Sequence, residues 1–213
     1  MKSEKRIEKH LAALKKKKVK AFCPFITLGC PNFKTTEKLL WEFEKMGVDI
    51  IELGIPFSDP LADGPVIQQS SEIALKNGAN LSKAFQLLKK MRAQGFKSVV
   101  ICFTYFNPVY QYGLSRFVQN ALSAGFDGVI IPDLIPGEET GFEALCRKKQ
   151  LPQVCLLTPT SSNQRAKLIN AKSGEAQLVE KFAELGVVMK KFQDWFEPAA
   201  EQVFEVLGLL AQP

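Results

Sequence analysis

Short apolar runs alternate with longer amphipathic stretches along the chain. Five runs are rich in apolar and β-branched residues and predict strands, at residues 22–28, 49–53, 98–103, 128–131 and 154–157. Between them, apolar residues recur with the spacing of amphipathic helices, as in Ala84, Leu87, Leu88 and Met91 and in Leu114, Phe117, Val118 and Ala121. Because the strands are short and apolar on both faces, we expect a parallel sheet covered by helices.

Two architectures fit this alternation, a doubly wound open sheet and a (β/α)8 barrel. A dinucleotide-binding open sheet would place G-x-G-x-x-G after the first strand, whereas residues 28–32 read Leu-Gly-Cys-Pro-Asn. Residues able to do chemistry cluster just after the strands, where barrels place their sites, although open sheets do so too. These observations favour the (β/α)8 barrel over the open sheet, in an α/β protein with a single domain over residues 1–213.

The strand pattern stops after Gly174. Residues 175–186 and 190–210 both have helical patterns, and strands six to eight of a barrel are not found in the sequence. A TIM barrel typically has about 250 residues, whereas this chain has 213. Either a segment is missing from the sequence here or the barrel is incomplete. We expect a missing segment of about 40 residues between Gly174 and Glu175, judged against that typical length.

Composition and charge disfavour several classes of function. Although 46% of the residues are hydrophobic, no run approaches the roughly 18 apolar residues of a membrane span, and the N-terminus is charged where a signal peptide would be apolar. The net charge of +6 comes largely from N-terminal lysines without interleaved aromatics, which indicates a solvated helix end. We expect a cytoplasmic protein that binds neither membranes nor nucleic acid.

Cysteine and histidine provide no obvious catalytic or metal site. Five cysteines, with no C-x-x-C pair among them, are interpreted as reduced packing residues and not as a zinc site: Cys23, Cys30, Cys102, Cys146 and Cys155. The single histidine, His10, lies in a polar helical stretch, which makes a catalytic triad unpromising. No metal is expected, and carboxylate chemistry is the better hypothesis.

Two carboxylates, Glu52 and Asp63, are the candidate catalytic residues. Glu52 interrupts the end of an apolar strand; if it points inward, desolvation should raise its pKa, whereas a solvent-exposed or lysine-paired acid is the alternative. Asp63 lies in a loop rich in proline and glycine, where an Asp-Gly pair by itself usually marks only a turn. A raised-pKa acid with a more exposed, ionised carboxylate suits general acid–base cleavage next to an electron-rich ring.

The strand ends contain neither a lysine in an apolar setting nor a cluster of histidine and aspartate. This disfavours a Schiff-base aldolase and a metal aldolase. An apolar slot for a flat aromatic substrate is predicted from four residues near the ends of successive strands, although each taken singly is more often a core residue: Phe25, Tyr105, Ile130 and Leu156.

Two motifs carry a resemblance to a known family. Residues 24–29 (Pro-Phe-Ile-Thr-Leu-Gly) and 52–68 (Glu-Leu-Gly-Ile-Pro-Phe-Ser-Asp-Pro-Leu-Ala-Asp-Gly-Pro-Val-Ile-Gln) resemble tryptophan synthase alpha chains. The match continues in family order through residues 105–108, 131–136 and 157–160 and covers about residues 5–174. The resemblance implies a TIM barrel that cleaves indole-3-glycerol phosphate to indole and glyceraldehyde 3-phosphate.

The resemblance also implies roles and partners. Glu52 matches the glutamate that handles protons at the indole C3 carbon and the glycerol hydroxyl, and Asp63 matches the aspartate that faces the indole N–H. The family passes indole to a beta subunit in an alpha2-beta2 heterotetramer, and the pyridoxal phosphate belongs to that subunit, so this chain is expected to hold no cofactor. Positions that match the surface facing the beta subunit are Pro56, Asp59, Pro60, Asn107, Tyr110 and Asp133.

The sequence departs from the family in two places. Cys30 and Asn32 stand where the family commonly has Asp-Pro-Gly after Leu-Gly. After Gly174, the family's lid and the glycine and serine amides that hold the phosphate are not found. Two alternatives follow: a catalytically weak or inactive alpha subunit that mainly binds and activates the beta subunit, and another phosphate-dependent barrel enzyme.

Overall fold

Five strands and seven helices alternate along the part of the chain that the computed structural model describes, residues 3–135 and 137–155. In chain order they are α1 (Ser3–Lys17), β1 (Phe25–Thr27), α2 (Phe33–Lys45), β2 (Ile50–Gly54), α3 (Pro65–Lys76), α4 (Leu81–Ala93), β3 (Val99–Phe103), α5 (Phe106–Tyr112), α6 (Leu114–Ala124), β4 (Gly128–Ile130), α7 (Thr140–Lys149) and β5 (Gln153–Val154). Each of the first four strands is followed by at least one helix, as the sequence predicted.

The strands form one sheet in the order β1-β2-β3-β4-β5, and all neighbours are parallel. A doubly wound sheet reverses its strand order at a switch point, whereas this sheet grows strand by strand in chain order, as the wall of a barrel does. The sequential order therefore decides between the two predicted architectures in favour of the barrel. The predicted strands six to eight and the predicted gap after Gly174 lie outside the described residues.

All five predicted strands exist, but β1 is shorter than predicted, and β5 begins one residue earlier than predicted and ends before Cys155. Strand β1 begins at Phe25 and not at Phe22. Pairing with β2 does extend backwards, since the Phe22 and Pro24 carbonyls accept hydrogen bonds from Ile50 N (3.3 Å) and Glu52 N (2.9 Å). Pro24 has no amide hydrogen to donate in return, which limits the regular ladder to the residues after it.

The sheet is apolar on both faces, and successive residues of each strand divide between them. On one face, Ile51, Leu53 and Cys102 pack into the large core beneath the helices. On the other face, Ile50 and Ile101 belong to an interior cluster that α1 closes from below with Ile7 and Leu11. The sheet therefore separates two cores, and polar groups on the interior face are desolvated.

The predicted amphipathic helices are confirmed. On α4, the four residues Ala84, Leu87, Leu88 and Met91 are all buried. On α6, the predicted stripe is buried except for Leu114, which is the first residue of the helix and is only partly buried. The lysines at residues 15–18 are exposed at the end of α1, in agreement with a solvated helix end.

Asn32, one of the departures from the family pattern, caps helix α2. Its side-chain oxygen accepts a hydrogen bond from Thr35 N at 2.9 Å. Asparagine in this position satisfies one of the free amides at a helix N-terminus. No helix among the described residues is long and apolar enough to cross a membrane.

A buried network of charged side chains connects α1 and α4 to the lower end of the sheet, where the parallel strands begin. Asp127, 1% exposed, accepts hydrogen bonds from Val100 N (3.0 Å) and Arg92 (2.9 Å), and Arg6 Nε of α1 lies 3.3 Å away. Burial raises the pKa of Asp127, and the two arginines and the Val100 amide oppose that shift. Burial likewise lowers the pKa of Arg92 to about 10, against the charge of Asp127.

Replacing Asp127 with alanine should destabilise the fold strongly, because Arg92 would keep a buried charge without its partner. We expect a loss of about 3–5 kcal/mol in the free energy of unfolding, measured by urea denaturation. The exposed pair of Glu37 and Lys90 provides the control, where Glu37→Ala should cost at most about 1 kcal/mol. Equal costs for the two variants would contradict the proposed importance of the buried network.

Candidate active site

Glu52 lies on the interior face of the sheet, near the carboxyl end of β2. It alternates with the outward-facing Ile51 and Leu53 and stands in register between Phe25 of β1 and Ile101 of β3. Burial raises the pKa of its carboxyl group, and a hydrogen bond from the Cys23 thiol opposes that effect. The interior orientation is the condition under which the sequence analysis expected a raised pKa, and no lysine or arginine pairs with Glu52 within the described ranges.

An aromatic wall lies beyond Glu52 along the interior face. The Phe25 ring packs edge-on against Phe103, with ring centroids 5.3 Å apart. Gly54 makes room for this ring, because a Cβ atom at that position would lie only 2.3 Å from Phe25 Cζ. The sequence prediction included Phe25 but missed Phe103, although Phe103 follows Ile101 by two positions and therefore faces the same side.

Ile130 extends the apolar wall from β4. It is 2% exposed, belongs to the interior cluster and stands in register with Phe103. Phe25, Phe103 and Ile130 thus line one side of the barrel interior next to Glu52. Leu156, the fourth predicted residue of the slot, lies outside the described residues.

Tyr105 connects the end of β3 to the loop that carries Asp63. Its side chain is buried, its ring lies 5.5 Å from that of Phe57, and its hydroxyl accepts a hydrogen bond from Ala62 N at 3.1 Å. Burial is the main cause that raises the pKa of Tyr105, and the neighbouring Asp63 contributes in the same direction. The sequence analysis predicted Tyr105 only as a residue that lines an apolar slot. The hydrogen bond between its hydroxyl and the loop was not predicted.

Asp63 is partly exposed, as Glu52 is, and lies in a loop in which Leu61, Ala62 and Gly64 are exposed. Its backbone carbonyl accepts a hydrogen bond from the Gln68 side chain at 2.8 Å, which ties the loop to the first turn of α3. With the Tyr105 hydroxyl on the preceding residue, the loop is held on both sides of Asp63. The carboxylate is thus presented at the same end of the sheet as Glu52.

The residues predicted to face a beta subunit differ in exposure. Asp59, Asn107 and Tyr110 are exposed, and Pro60 and Asp133 are partly exposed. Pro56 is buried, so its side chain adds no surface to the isolated chain. Their assignment to an interface remains a prediction.

Asp133 also has a structural contact at this end of the sheet. Its carboxylate accepts hydrogen bonds from Phe106 N at 2.9 and 3.2 Å and so caps the start of α5. Sequence reasoning did not anticipate the exposed apolar side chains of Leu61 and Val66 in the loop and helix after β2. Neither is explained by packing within the described chain.

His10 bonds to Asp49, the residue before β2, with His10 Nε2 2.9 Å from the carboxylate. Asp49 also accepts a hydrogen bond from Phe22 N at 2.8 Å. The histidine thus joins α1 to the lower end of the sheet, three residues along β2 from Glu52. Among the described residues, no group of three or more potential metal ligands comes together.

Comparison with known proteins identifies close relatives. A family model described as tryptophan synthase alpha chain matches residues 11–190. The tryptophan synthase alpha chain of Geotalea uraniireducens is 49% identical over 170 residues, which cover 79% of this chain and 63% of that relative.

Solved structures agree with the sequence comparison. The tryptophan synthase alpha chain from Legionella pneumophila is 37% identical, with a TM-score of 0.75, over 82% of this chain and 64% of its own. The tryptophan synthase complex from Pyrococcus furiosus contains a chain that is 35% identical, with a TM-score of 0.66, over 71% of this chain and 62% of its own. This chain thus spans less than two thirds of the length of each of these relatives. The chain has the TIM-barrel fold, and the described parallel sheet is part of that barrel.

Replacing Glu52 with glutamine should stabilise the fold more at neutral than at acidic pH. Above the ordinary carboxyl pKa, the unfolded chain releases the Glu52 proton while the folded protein, with its raised pKa, retains it. The wild-type free energy of unfolding therefore falls as pH rises through this interval, and the glutamine variant lacks that loss. Urea unfolding at several pH values measures the difference, with exposed Glu72→Gln as the control; a gap that narrows with rising pH would contradict the assignment.

Replacing Tyr105 with phenylalanine should loosen the loop that carries Asp63. The variant removes the acceptor of the Ala62 amide at a cost of about 1 kcal/mol, which corresponds to roughly fivefold faster exchange of that amide. Hydrogen exchange at Ala62 measures the effect. Tyr110→Phe, at a site 61% exposed, is the control, and an unchanged Ala62 rate in the Tyr105 variant would show that the hydroxyl does not hold the loop.

Proposed function

The chain belongs to the tryptophan synthase alpha chain family, and on this premise we propose that it is a carbon–carbon lyase of tryptophan biosynthesis. The proposed reaction is the retro-aldol cleavage of indole-3-glycerol phosphate to indole and glyceraldehyde 3-phosphate, in the cytoplasm. The observation that carries the proposal is a desolvated carboxyl group, Glu52, placed beside an aromatic wall at the carboxyl end of the strands.

Glu52 is proposed to move two protons. In its protonated form, which burial favours, it gives a proton to indole C3, and the ring N–H keeps its proton while it bonds to the Asp63 carboxylate, which stabilises the positive charge on the ring. The Glu52 carboxylate then takes the proton of the glycerol hydroxyl as the carbon–carbon bond breaks, and the bonding electrons return to the ring. The aldehyde and indole are released with Glu52 protonated again, so the residue acts as both acid and base.

Asp63 and Tyr105 are proposed to act as a unit. Asp63 faces the developing charge on the ring nitrogen, where an ionised carboxylate stabilises a transition state with positive character. Tyr105 holds the loop through Ala62 and so keeps the carboxylate within reach. Such positioning by a neighbouring contact reduces the entropy lost when the substrate binds.

The indole ring is proposed to occupy the slot lined by Phe25, Phe103 and Ile130. The three side chains offer an apolar surface of the kind that flat aromatic ligands fill, with one titratable group, Glu52, at its base. Tyr105 and Leu156 complete the slot in this proposal. No cofactor is required for the proposed proton transfers.

A beta subunit is the proposed partner, in an alpha2-beta2 heterotetramer in which pyridoxal phosphate belongs to the beta subunit. Similarity to a chain of the tryptophan synthase complex from Pyrococcus furiosus supports the partnership. Exposed apolar side chains after the strand ends support it as well, notably Leu61 (86% exposed), Val66 (75%) and Tyr110 (61%). Asp59, Pro60, Asn107 and Asp133 complete the proposed interface, and Pro56 supports the loop from within.

Glu52→Gln should lower the rate of indole release by roughly 10²- to 10⁴-fold, because the variant can neither donate nor accept the proton. Indole is assayed with the intact chain and its beta partner, and Glu37→Gln, on α2 where the side chain pairs with Lys90 of α4, should leave the rate unchanged. A Glu52→Gln rate equal to the wild type would refute the proposed role of Glu52. Absence of indole release from the wild-type complex would instead favour a subunit that only activates its partner.

A further inference from the structure

The Cys23 thiol lies 3.6 Å from Glu52 Oε1 and donates a hydrogen bond to it. Cys23 belongs to the extended segment before β1, two positions before Phe25, and therefore faces the same interior side. The backbone holds the pair in place, because Glu52 N donates to Pro24 O at 2.9 Å, directly between the two side chains. Sequence reasoning treated Cys23 as a packing residue, and Cys23 does pack against the interior cluster; the contact with Glu52 adds a hydrogen bond that the sequence did not predict.

Cys23 is the one hydrogen-bond donor to the Glu52 carboxylate in the part of the chain that the structure describes. The other interior neighbours of Glu52 in register are Phe25 and Ile101, whose side chains can neither donate nor accept. The thiol therefore occupies Oε1 and leaves Oε2 without a protein donor in this region.

Cys23 stays protonated beside Glu52. Burial, followed by the charge and the hydrogen bond of Glu52 and then the charge of Asp49, raises the pKa of the thiol far above its ordinary value. A thiol that does not ionise is a poor nucleophile and a poor metal ligand. Its chemical role at this position is restricted to that of a weak donor.

Few other charged groups act on the pair. Asp49, the residue before β2, acts on the thiol and is itself bonded to His10 of α1. Asp63, in the loop after β2, raises the pKa of Tyr105 and is not among the groups that shift the pKa of Cys23 or Glu52. The Cys23 hydrogen bond lowers the pKa of Glu52 and is the one specific interaction that opposes burial.

We infer that Cys23 is a positioning residue for Glu52: its thiol holds Oε1 and directs Oε2 into the aromatic slot as the oxygen that exchanges protons with the substrate. This inference rests on the proposed function for the identity of the substrate. The contact between thiol and carboxylate is independent of it. A residue that only packs would affect stability, whereas a donor to the carboxylate also controls when Glu52 ionises.

Four variants separate a donor from a packing residue. Cys23→Val keeps an apolar side chain of similar size but removes the donor, and Cys23→Ser keeps a donor. Cys102→Val is the matched control, because Cys102 is buried on the opposite face of β3 and packs under the helices. Cys23→Ala serves as a second donor-free variant if valine destabilises the fold.

The first readout is the pH titration of the NMR signal of the Glu52 side-chain carboxyl carbon, in protein that carries isotope-labelled glutamate. The signal is assigned by its absence in Glu52→Gln. Loss of the donor disfavours the ionised carboxylate, so Glu52 should titrate at higher pH in Cys23→Val. Cys23→Ser should restore the titration toward the wild-type position, and Cys102→Val should not move it. An unchanged Glu52 titration in both donor-free variants would overturn the inference.

The second readout is indole release as a function of pH with the beta partner present. The part of the pH–rate profile that reports the ionisation of Glu52 should shift to higher pH in Cys23→Val. This variant should also lose kcat severalfold with little change in KM, and Cys23→Ser should partly restore the rate. A loss confined to KM would overturn the positioning role. If the wild-type complex releases no indole, the proposed function fails, and the titration alone decides whether the thiol controls Glu52.

Discussion

Alternation of side chains along parallel strands that are buried on both faces is the constraint on which the rest of the structure depends. On β2, Ile51 and Leu53 enter the core beneath the helices, and Ile50 and Glu52 enter the barrel interior. A shift of one residue in register would exchange the two sets. The position of the candidate acid is therefore fixed by the same burial that stabilises the sheet.

The two ends of the sheet manage polar groups in different ways. At the lower end, Asp127 and Arg92 bond to each other and to several backbone groups, although Asp127 Oδ1 and Arg6 Nη1 are buried without a hydrogen-bond partner among the described residues. At the upper end, Glu52 has only the Cys23 thiol as a donor among the described residues. The first arrangement holds α1 rigidly against the lower end of the sheet. The second leaves a carboxyl group that can exchange a proton.

The elements of the described region were predictable because local patterns dominate them. The stripes on α4 and α6 and the apolar strands appear where periodicity placed them. The length of β1 was not predictable in this way, since the missing amide of Pro24 ends the regular ladder only when β2 pairs beside it. Phe103 and Cys23 were also missed as neighbours of the site, because each becomes one only after strands separated by many residues come together.

The sequence by itself determined the family, the order of strands and helices, and the two candidate carboxylates, because these follow from local composition and from a motif at residues 52–68. Only the tertiary structure decided that Glu52 faces inward, that Tyr105 holds the loop of Asp63, and that a cysteine from the segment before β1 donates to the candidate acid. These outcomes depend on register between neighbouring strands and on the desolvation that packing produces. Neither quantity is a property of any single segment of the chain.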